Sequence, residues 1–414
     1  MSTKSLARAV ERIVTGGDRE LYPGEKLLSW IERAKEADLI RINAFKVSDE
    51  LKVERSPLLE TCIRLVHEGV LDLNWDFHCT ECNAVAGTHR HLQEATSGDH
   101  CPLCNVDFRN QLDRNVEVTF TPSARLYVVS RKFLDEQTRI TVALHKEKKI
   151  RFPEVYVSGL DCLHVPLFRQ IFETETLSLR ESLRIGQVCI MFTDIKGSTA
   201  LYDRLGDSAA YGMVRDHFDI LFRTVEEHDG VIVKTIGDSV MASFKRPADG
   251  VAAAVAIQDA FGEYNRRANL RNEILVKVGL HAGSTIMVNL NNRLDYFGQA
   301  VNMAARIQNT AEGGEVIISD AVRTDRDAIE GLRGKVANLT KRLVELKGIS
   351  GSHAVYRLNF IDADGRPGGA SQPTQGTLGQ AASPRPGGAA ASGAAVGAGA
   401  AKVPGAAGTA RSAR

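Results

Sequence analysis

No apolar run in this chain approaches the ~20 residues that a membrane-spanning helix needs. The opening stretch MSTKSLARAVERIVTGGDRE is charged and amphipathic, without the apolar core of a secretory signal. Both absences lead to the expectation of a cytoplasmic chain with no membrane partner. Charge bias is missing as well: 52 Lys and Arg stand against 51 Asp and Glu, a formal net charge of +1. The molecule as a whole therefore carries no electrostatic signal for nucleic acid or an anionic surface. Cysteine is scarce, 7 in 414 residues. Cys62, Cys162 and Cys189 sit in apolar surroundings and read as small core residues. The other four come as two CxxC pairs, which is metal spacing rather than a disulfide framework. From about Ile361 aromatic residues are lacking altogether and Ala, Gly, Pro and Ser dominate. Such a composition cannot bury enough apolar surface to offset its ordering entropy, so a disordered tail is expected over 361–414.

What is present divides the chain. Its length leaves room for two or three domains, each with its own core. Over 1–78, helical patterns at 27–37 and 56–69, with a short helix at SDEL between them, precede the alternating strand VLDLNWDFHC. Ser56 reads as the N-cap of the second long helix and Pro57 as its first helical residue. Helix, short helix, longer helix and strand hairpin is the order of a winged helix, a generic small α+β module being the alternative. This segment holds twelve Lys/Arg against fourteen Asp/Glu, so packing or dimerisation suits it better than DNA contact and nucleic acid is an unlikely partner.

CTECNAVAGTHRHLQEATSGDHCPLC follows at once. Cys79, Cys82, Cys101 and Cys104 form two knuckles able to present four thiolates tetrahedrally to one zinc per chain, predicting a ribbon over 79–112. His78, His89, His91 and His100 lie near enough to substitute, but four cysteines already close a structural site. VEVTFTP, RLYVVS and RITVALH then read as strands of a small β-rich linker domain over 113–186. From 187 to 358, apolar runs (VCIMF, GVIVKTIG, VMASF, ILVKVGLHAG, GEVIIS) alternate with helical patterns at 208–228 and 248–266, which predicts an α/β domain. The fold class expected is thus multidomain α+β with an α/β C-terminal part.

The chemistry collects at strand ends of that last domain. Asp194 closes VCIMFTD and is followed by a glycine and by Ser198 or Thr199, either able to cap a helix; an aspartate there also caps helices with no function attached. VKTIGDSVMASF offers Lys234 and Asp238 around a turn at Gly237, so that Asp238 could face Asp194 on a neighbouring strand. Two carboxylates with no lysine between them repel unless divalent metal lies in the gap. Two hard oxygen ligands completed by substrate phosphates suit Mg²⁺. RLDYFGQAVNMAARIQ carries Asp295 and then Asn302 and Arg306, four apart on one helix face, a spacing equally common on a plain surface helix.

Taken in order, FTDIKGST, VKTIGDSVMASF, VGLHAG and LDYFGQAVNMAARI resemble the class III nucleotidyl cyclase catalytic domain, over about 187–358. The preceding DCLHVPLFRQIFETETL resembles bacterial cyclases that carry an N-terminal zinc-ribbon region. The resemblance implies a ferredoxin-like α/β fold and a set of roles. Asp194, Asp238 and the carbonyl of Ile195 would bind two Mg²⁺ or Mn²⁺ per active site; Lys234 and Asp295 would read the purine. Asn302 and Arg306 would orient the ribose and stabilise the transition state, and Lys347 falls where the family often has a triphosphate-binding lysine. Gln299 departs from the usual Asn or Ser and touches no assigned role. Lys and Asp match adenine, whereas guanylyl members usually carry Glu and Cys, so the substrate implied is ATP and the product cyclic AMP. Family sites draw their two halves from different protomers, which implies a head-to-tail homodimer with composite sites. The alternatives are a guanylate cyclase, and a nucleic-acid-binding regulator whose cyclase fold only senses ATP.

Overall fold

The computed structural model describes residues 3–15, 23–172, 175–198, 207–268 and 273–361. Thr199 and the Ala/Gly/Pro tail from 362 lie outside the described residues. Five helices open the chain: α1 (Thr3–Thr15), α2 (Gly24–Arg33), α3 (Glu36–Leu39), α4 (Ala44–Leu51) and α5 (Arg55–His67). The helix expected over 27–37 is split between α2 and α3. SDEL is the end of α4, whose start is capped by the Asn43 side chain accepting from the amides of Phe45 and Lys46. Ser56 is not the cap of α5. That position belongs to Glu54, already extended at φ −66° and ψ 141°, so the helix starts earlier and Pro57 falls in its first turn, where a missing N–H breaks no helical bond.

β1 (Leu71–His78) lies between β2 (Val85–His89) and β5 (Val116–Pro122) in an antiparallel sheet, while β3 (Gly98–Cys101) and β4 (Val106–Arg109) form a separate hairpin. The segment 113–186 departs from its β-rich expectation. Before β6 it contributes only β5 as a strand, and otherwise carries α6 (Arg131–Lys146), α7 (Gly159–Leu163) and α8 (Pro166–Ile171). RITVALH lies inside α6: its β-branched residues suggested a strand, but Ser130 caps a helix by accepting from Phe133 N–H, and Phe133, Gln137, Ile140 and Leu144 repeat at helical spacing. RLYVVS holds a turn in which the amides of Leu126 and Tyr127 donate to the Ser123 carbonyl.

The rest is built on one large sheet. β6 (Ser182–Ile195), α9 (Asp207–Glu227), β7 (Gly230–Ile236), β8 (Ser239–Phe244), α10 (Pro247–Ala268) and β9 (Val276–Leu290) follow one another as βαββαβ, with strands ordered β9-β6-β8-β7 and antiparallel throughout. This is the ferredoxin-like arrangement, and every strand and helix expected from the apolar runs is in place. Beyond it come β10 (Arg293–Phe297), hairpinned to β9, then α11 (Gln299–Gln308), β11 (Val316–Ser319), α12 (Asp320–Arg323), α13 (Arg326–Glu330), β12 (Val336–Glu345) and β13 (Ser352–Phe360). β11 pairs with β9 in parallel, extending the sheet to β13 and β12. α11 closes onto β9 at Gly279, where a Cβ would meet the Gln308 backbone at 2.2 Å, so only glycine admits that approach.

Helices α9 and α10 cover one face of the sheet over a core that includes Leu221, Phe244, Val255 and Phe261. The opposite face has a different partner. One continuous apolar cluster runs from Leu6 and Trp75 through Phe168 and Leu183 to Phe192, Met241 and Tyr296, so the upstream region and the catalytic sheet share a core. The join is also polar: Gly186 N–H donates to both Asp113 carboxylate oxygens at 3.0 Å, Leu112 N–H donates to the Arg184 carbonyl at 2.8 Å, and Lys245 pairs with Asp161 at 2.8 Å. The boundary expected at 186/187 therefore falls inside β6. Among the described residues no helix is long and apolar enough to cross a membrane.

Candidate active site

Asp194 stands at the end of β6, where the apolar run that buries Ile190 and Met191 reaches the sheet edge. Beside it, β7 turns into β8 at Gly237, whose φ of +62° is the left-handed conformation a side chain resists. The turn brings Asp238 back toward Asp194: Ile195 N–H donates to Asp238 Oδ2 at 3.2 Å, and Ser239 Oγ donates to Asp194 Oδ1 at 2.7 Å. From behind, buried His217 of α9 places Nε2 3.2 Å from the Asp238 carbonyl. Burial pushes this imidazole down to about 4, so it stays neutral and can donate to that carbonyl.

No lysine stands between the two carboxylates among the described residues, but one flanks Asp194 from the other side of β6, away from β8 and Asp238. β9 pairs with β6 so that Lys277 is directly opposite Asp194, and its Nζ is 3.5 Å from Asp194 Oδ2. Sequence reasoning missed it because the register of strands 83 residues apart is not written in either segment. The donor set still fits a divalent metal: two half-buried carboxylates on adjoining elements are hard oxygen ligands. No third His, Cys, Asp or Glu clusters with them among the described residues, as expected where water and phosphate oxygens complete an octahedral ion.

A second group forms on β7 and β10. Lys234 Nζ donates to Asp295 Oδ2 at 2.5 Å, and Asp295, only 7% exposed, has its other oxygen held by Tyr296 N–H at 2.8 Å. α11 then presents Asn302 and Arg306 on its exposed side; among the described residues neither side chain has a hydrogen-bond or ionic partner. Lys347, in the β12–β13 connection, is likewise exposed and unpaired. Among the described residues no hydrogen bond or ion pair links the Asp194–Asp238 group to Asn302 or Arg306. Exposed apolar residues rim these elements: Ile236 next to the turn, Leu290 on the β9–β10 hairpin, and Phe297 just before α11.

The four cysteines converge elsewhere. Cys79 and Cys104 Sγ are 3.5 Å apart, Cys82 and Cys101 3.6 Å, and all four sulfurs lie within 4.8 Å of one another. A zinc tetrathiolate with ~2.3 Å bonds has edges near 3.8 Å, so the cradle fits that ion. The knuckles are near-duplicates: Asn83 and Asn105, each just after a second cysteine, adopt φ of 60° and 57° and donate N–H to the carbonyls of Cys79 and Cys101. Burial raises the Cys101 thiol, but the amides of Cys104 and Leu103 together with the thiols of Cys104 and Cys82 outweigh it and hold it at about 7, favouring the thiolate. The neighbouring histidines pair with carboxylates instead, His78 with Glu117, His91 with Glu175 and His100 with Asp107, and none joins the four-sulfur cluster. Cys62, Cys162 and Cys189 are buried core residues as expected.

Residues 181–359 match the family model described as the adenylate and guanylate cyclase catalytic domain, and residues 18–148 match a family of unknown function. Among curated relatives, "Putative adenylate cyclase 3" of Rhizobium meliloti (strain 1021) is 32% identical over 168 residues, 39% of this chain and 28% of that protein. "Serine/threonine-protein kinase pkn2" of Myxococcus xanthus is 29% identical over 195 residues, 47% of this chain and 22% of that protein. The chain thus spans under a third of the length of these two relatives. A solved adenylate cyclase from Trypanosoma brucei, in its monomeric state, is 25% identical, covering 42% of this chain and 90% of its own, with a TM-score of 0.36. With three motifs in order on the βαββαβ sheet, the fourth on the β10–α11 segment that follows it, and the family match spanning all of them, the region from 181 to 359 belongs to the class III adenylate and guanylate cyclase catalytic domains.

Proposed function

We propose that the chain is an adenylate cyclase, converting ATP to 3′,5′-cyclic AMP and pyrophosphate as a homodimer. The observation that carries the reading is the Lys234–Asp295 pair: a cationic donor beside a buried carboxylate acceptor complements the ring nitrogen and exocyclic amine of adenine. Cyclases of this class use Mg²⁺ or Mn²⁺; Asp194, Asp238 and the Ile195 carbonyl would hold two such ions, whose positive charge would acidify the ribose 3′-hydroxyl, its proton passing to solvent water, and screen the triphosphate. The 3′-oxygen then forms a bond to the α-phosphorus as the bond from that phosphorus to the pyrophosphate oxygen breaks in line. Lys277 adds a fixed cation beside Asp194, and Lys347 is a further candidate for the triphosphate. Arg306 stabilises charge developing on the phosphoryl oxygens, and Asn302 orients the ribose.

The unpaired, solvent-facing state of Asn302 and Arg306, with the apolar rim of Ile236, Leu290 and Phe297, supports sites shared between two chains, each lending what the other's metal group lacks. The upstream region acts as a regulator or dimer former, with a winged-helix-like module over 1–78, a structural zinc ribbon over 79–112 and, after it, β5 and helices α6–α8 leading into β6. Reduced cysteines are consistent with the cytoplasm. In the deciding experiment, purified protein is incubated with Mn²⁺ and either ATP or GTP. Cyclic AMP is the expected main product, and Asp194→Ala or Asp238→Ala abolishes turnover while preserving the dimer. Cyclic GMP as the main product, or comparable turnover by either variant at saturating Mn²⁺, overturns the reading.

A further inference from the structure

Helix α6 is an outlier in this chain. It runs for 16 residues, about 24 Å, and not one of its side chains is buried. It is tied down at its start, where Ser130 N–H and Oγ donate to the Glu36 carboxylate at 2.6 and 3.1 Å. Leu134, Ile140, Val142 and Leu144 are each between 36% and 46% exposed. At 100° per residue, Phe133, Gln137, Ile140 and Leu144 fall within a stripe about 60° wide, with Leu134 on its flank. Arg131, Lys132, Arg139 and Lys146 lie on the other half of the helix, with Val142 among them and outside the stripe. Residues 131–151 hold seven Lys or Arg and three Asp or Glu, a net +4 in a chain whose total is +1.

We infer that α6 is a peripheral membrane-docking helix that lies on an anionic lipid surface, its apolar stripe in the interface and its cations toward the headgroups. Charge selects this occupant. A second copy of the helix would set +4 against +4. The chain's own residues 362–414 hold five Lys or Arg against two Asp, so they offer no complement either. A nucleic acid would meet the charge but give the apolar stripe no role. Cations bracket the stripe at both ends, Arg131 and Lys132 before it and Lys146, Lys148, Lys149 and Arg151 after it, so their long stems reach the headgroup level while the stripe sinks between them. Such a helix needs no spanning segment. The expectation of no membrane partner rested on spanning length and whole-chain charge, neither of which registers a local +4 on one amphipathic helix.

The test is co-sedimentation of the full chain with vesicles of equal parts phosphatidylglycerol and phosphatidylcholine, against phosphatidylcholine alone. Wild type is expected to bind the anionic vesicles, to release them at high salt, and to ignore the zwitterionic ones. Ile140→Glu/Leu144→Glu and, separately, Lys146→Glu/Lys148→Glu/Lys149→Glu should each weaken binding at least about tenfold. All five side chains already face water, so thermal midpoint and vesicle-free turnover stay at wild-type values. Wild type that fails to sediment with anionic vesicles, or undiminished binding by both variants, overturns the inference. Wild type that ignores vesicles but loses an oligomer on Ile140→Glu/Leu144→Glu identifies a contact between copies, which equally overturns it, as does binding only to an acidic protein.

Discussion

Lys234 and Asp295 satisfy each other when no base is present, so a purine must separate them and replace both halves of the bond. Adenine can do so; guanine would set its O6 against the buried Asp295 carboxylate. Two facing acceptors cost on the order of 2–4 kcal/mol, roughly thirty- to a thousand-fold in selectivity. Lys234→Glu/Asp295→Cys should therefore lower kcat/KM for ATP relative to GTP, and an unchanged ratio between the two substrates would remove these residues from base reading. Burial lets a second residue make a pH prediction. His164, between the Leu160 carbonyl at 3.0 Å and Ser243 Oγ at 3.2 Å, is pushed down to about 3 by burial and by the charges of Arg169 and Lys245. The unfolded chain takes up this proton near pH 6.5 and the folded one does not, so stability is full above 6.5 and falls toward pH 3 by about 1.4 kcal/mol per unit. Urea titrations at pH 7 and pH 5 should show that loss shrinking by about 2 kcal/mol in His164→Gln; an identical loss in both proteins would dismiss His164 as its source.

Secondary elements differ in how openly their residues announce them. The catalytic strands were legible because apolar runs such as VCIMF end at glycine or aspartate turns and are too short for buried helices. Asp194, Asp238, Lys234 and Asp295 were legible for the same reason, since each sits at or near such an end. α6 was not, because Ile140, Thr141 and Val142 favour strands locally while helix capping and spacing decide the outcome. Lys277 was hidden for a third reason, its role being set by β6–β9 register and not by its neighbours in sequence. The cysteine knuckles show local legibility at its best, and they carry their own prediction. The first joins β1 to β2 and the second joins β3 to β4, so without a central ion four thiols are left converging at one point. The purified chain should contain one zinc, and Cys101→Ser should lose it and unfold the ribbon before it impairs chemistry, since binding energy at such sites is folding energy. Metal analysis of chelator-free protein decides the first point; proteolysis within 79–112 reads the second.

At the scale of the whole molecule, the proposed division of Asp194 and Asp238 from Asn302 and Arg306 makes a sharp demand on a second copy. Asp194→Ala and Arg306→Ala proteins should each be nearly inactive, yet mixing them with subunit exchange should restore about a quarter of wild-type activity, because half of the dimers are mixed and each of those keeps one intact site. Exchange demonstrated directly with no recovery would refute composite sites. One further consequence follows from β6. Its first half is clamped by Asp113 at Gly186 and its far end delivers Asp194, about 26 Å further on at ~3.3 Å per residue. The ladder to β9 shifts register between Ile185 and Val188, beside that clamp, and then runs unbroken from Val188 to Ile195, so an axial shift passed beyond the irregularity would reach Asp194 as along a push-rod, since extended backbone hardly stretches. A recombinant fragment begun at residue 187 would remove the first five of that strand's 14 residues, the clamped Gly186 among them, whereas one begun upstream of Asp113 would keep it whole.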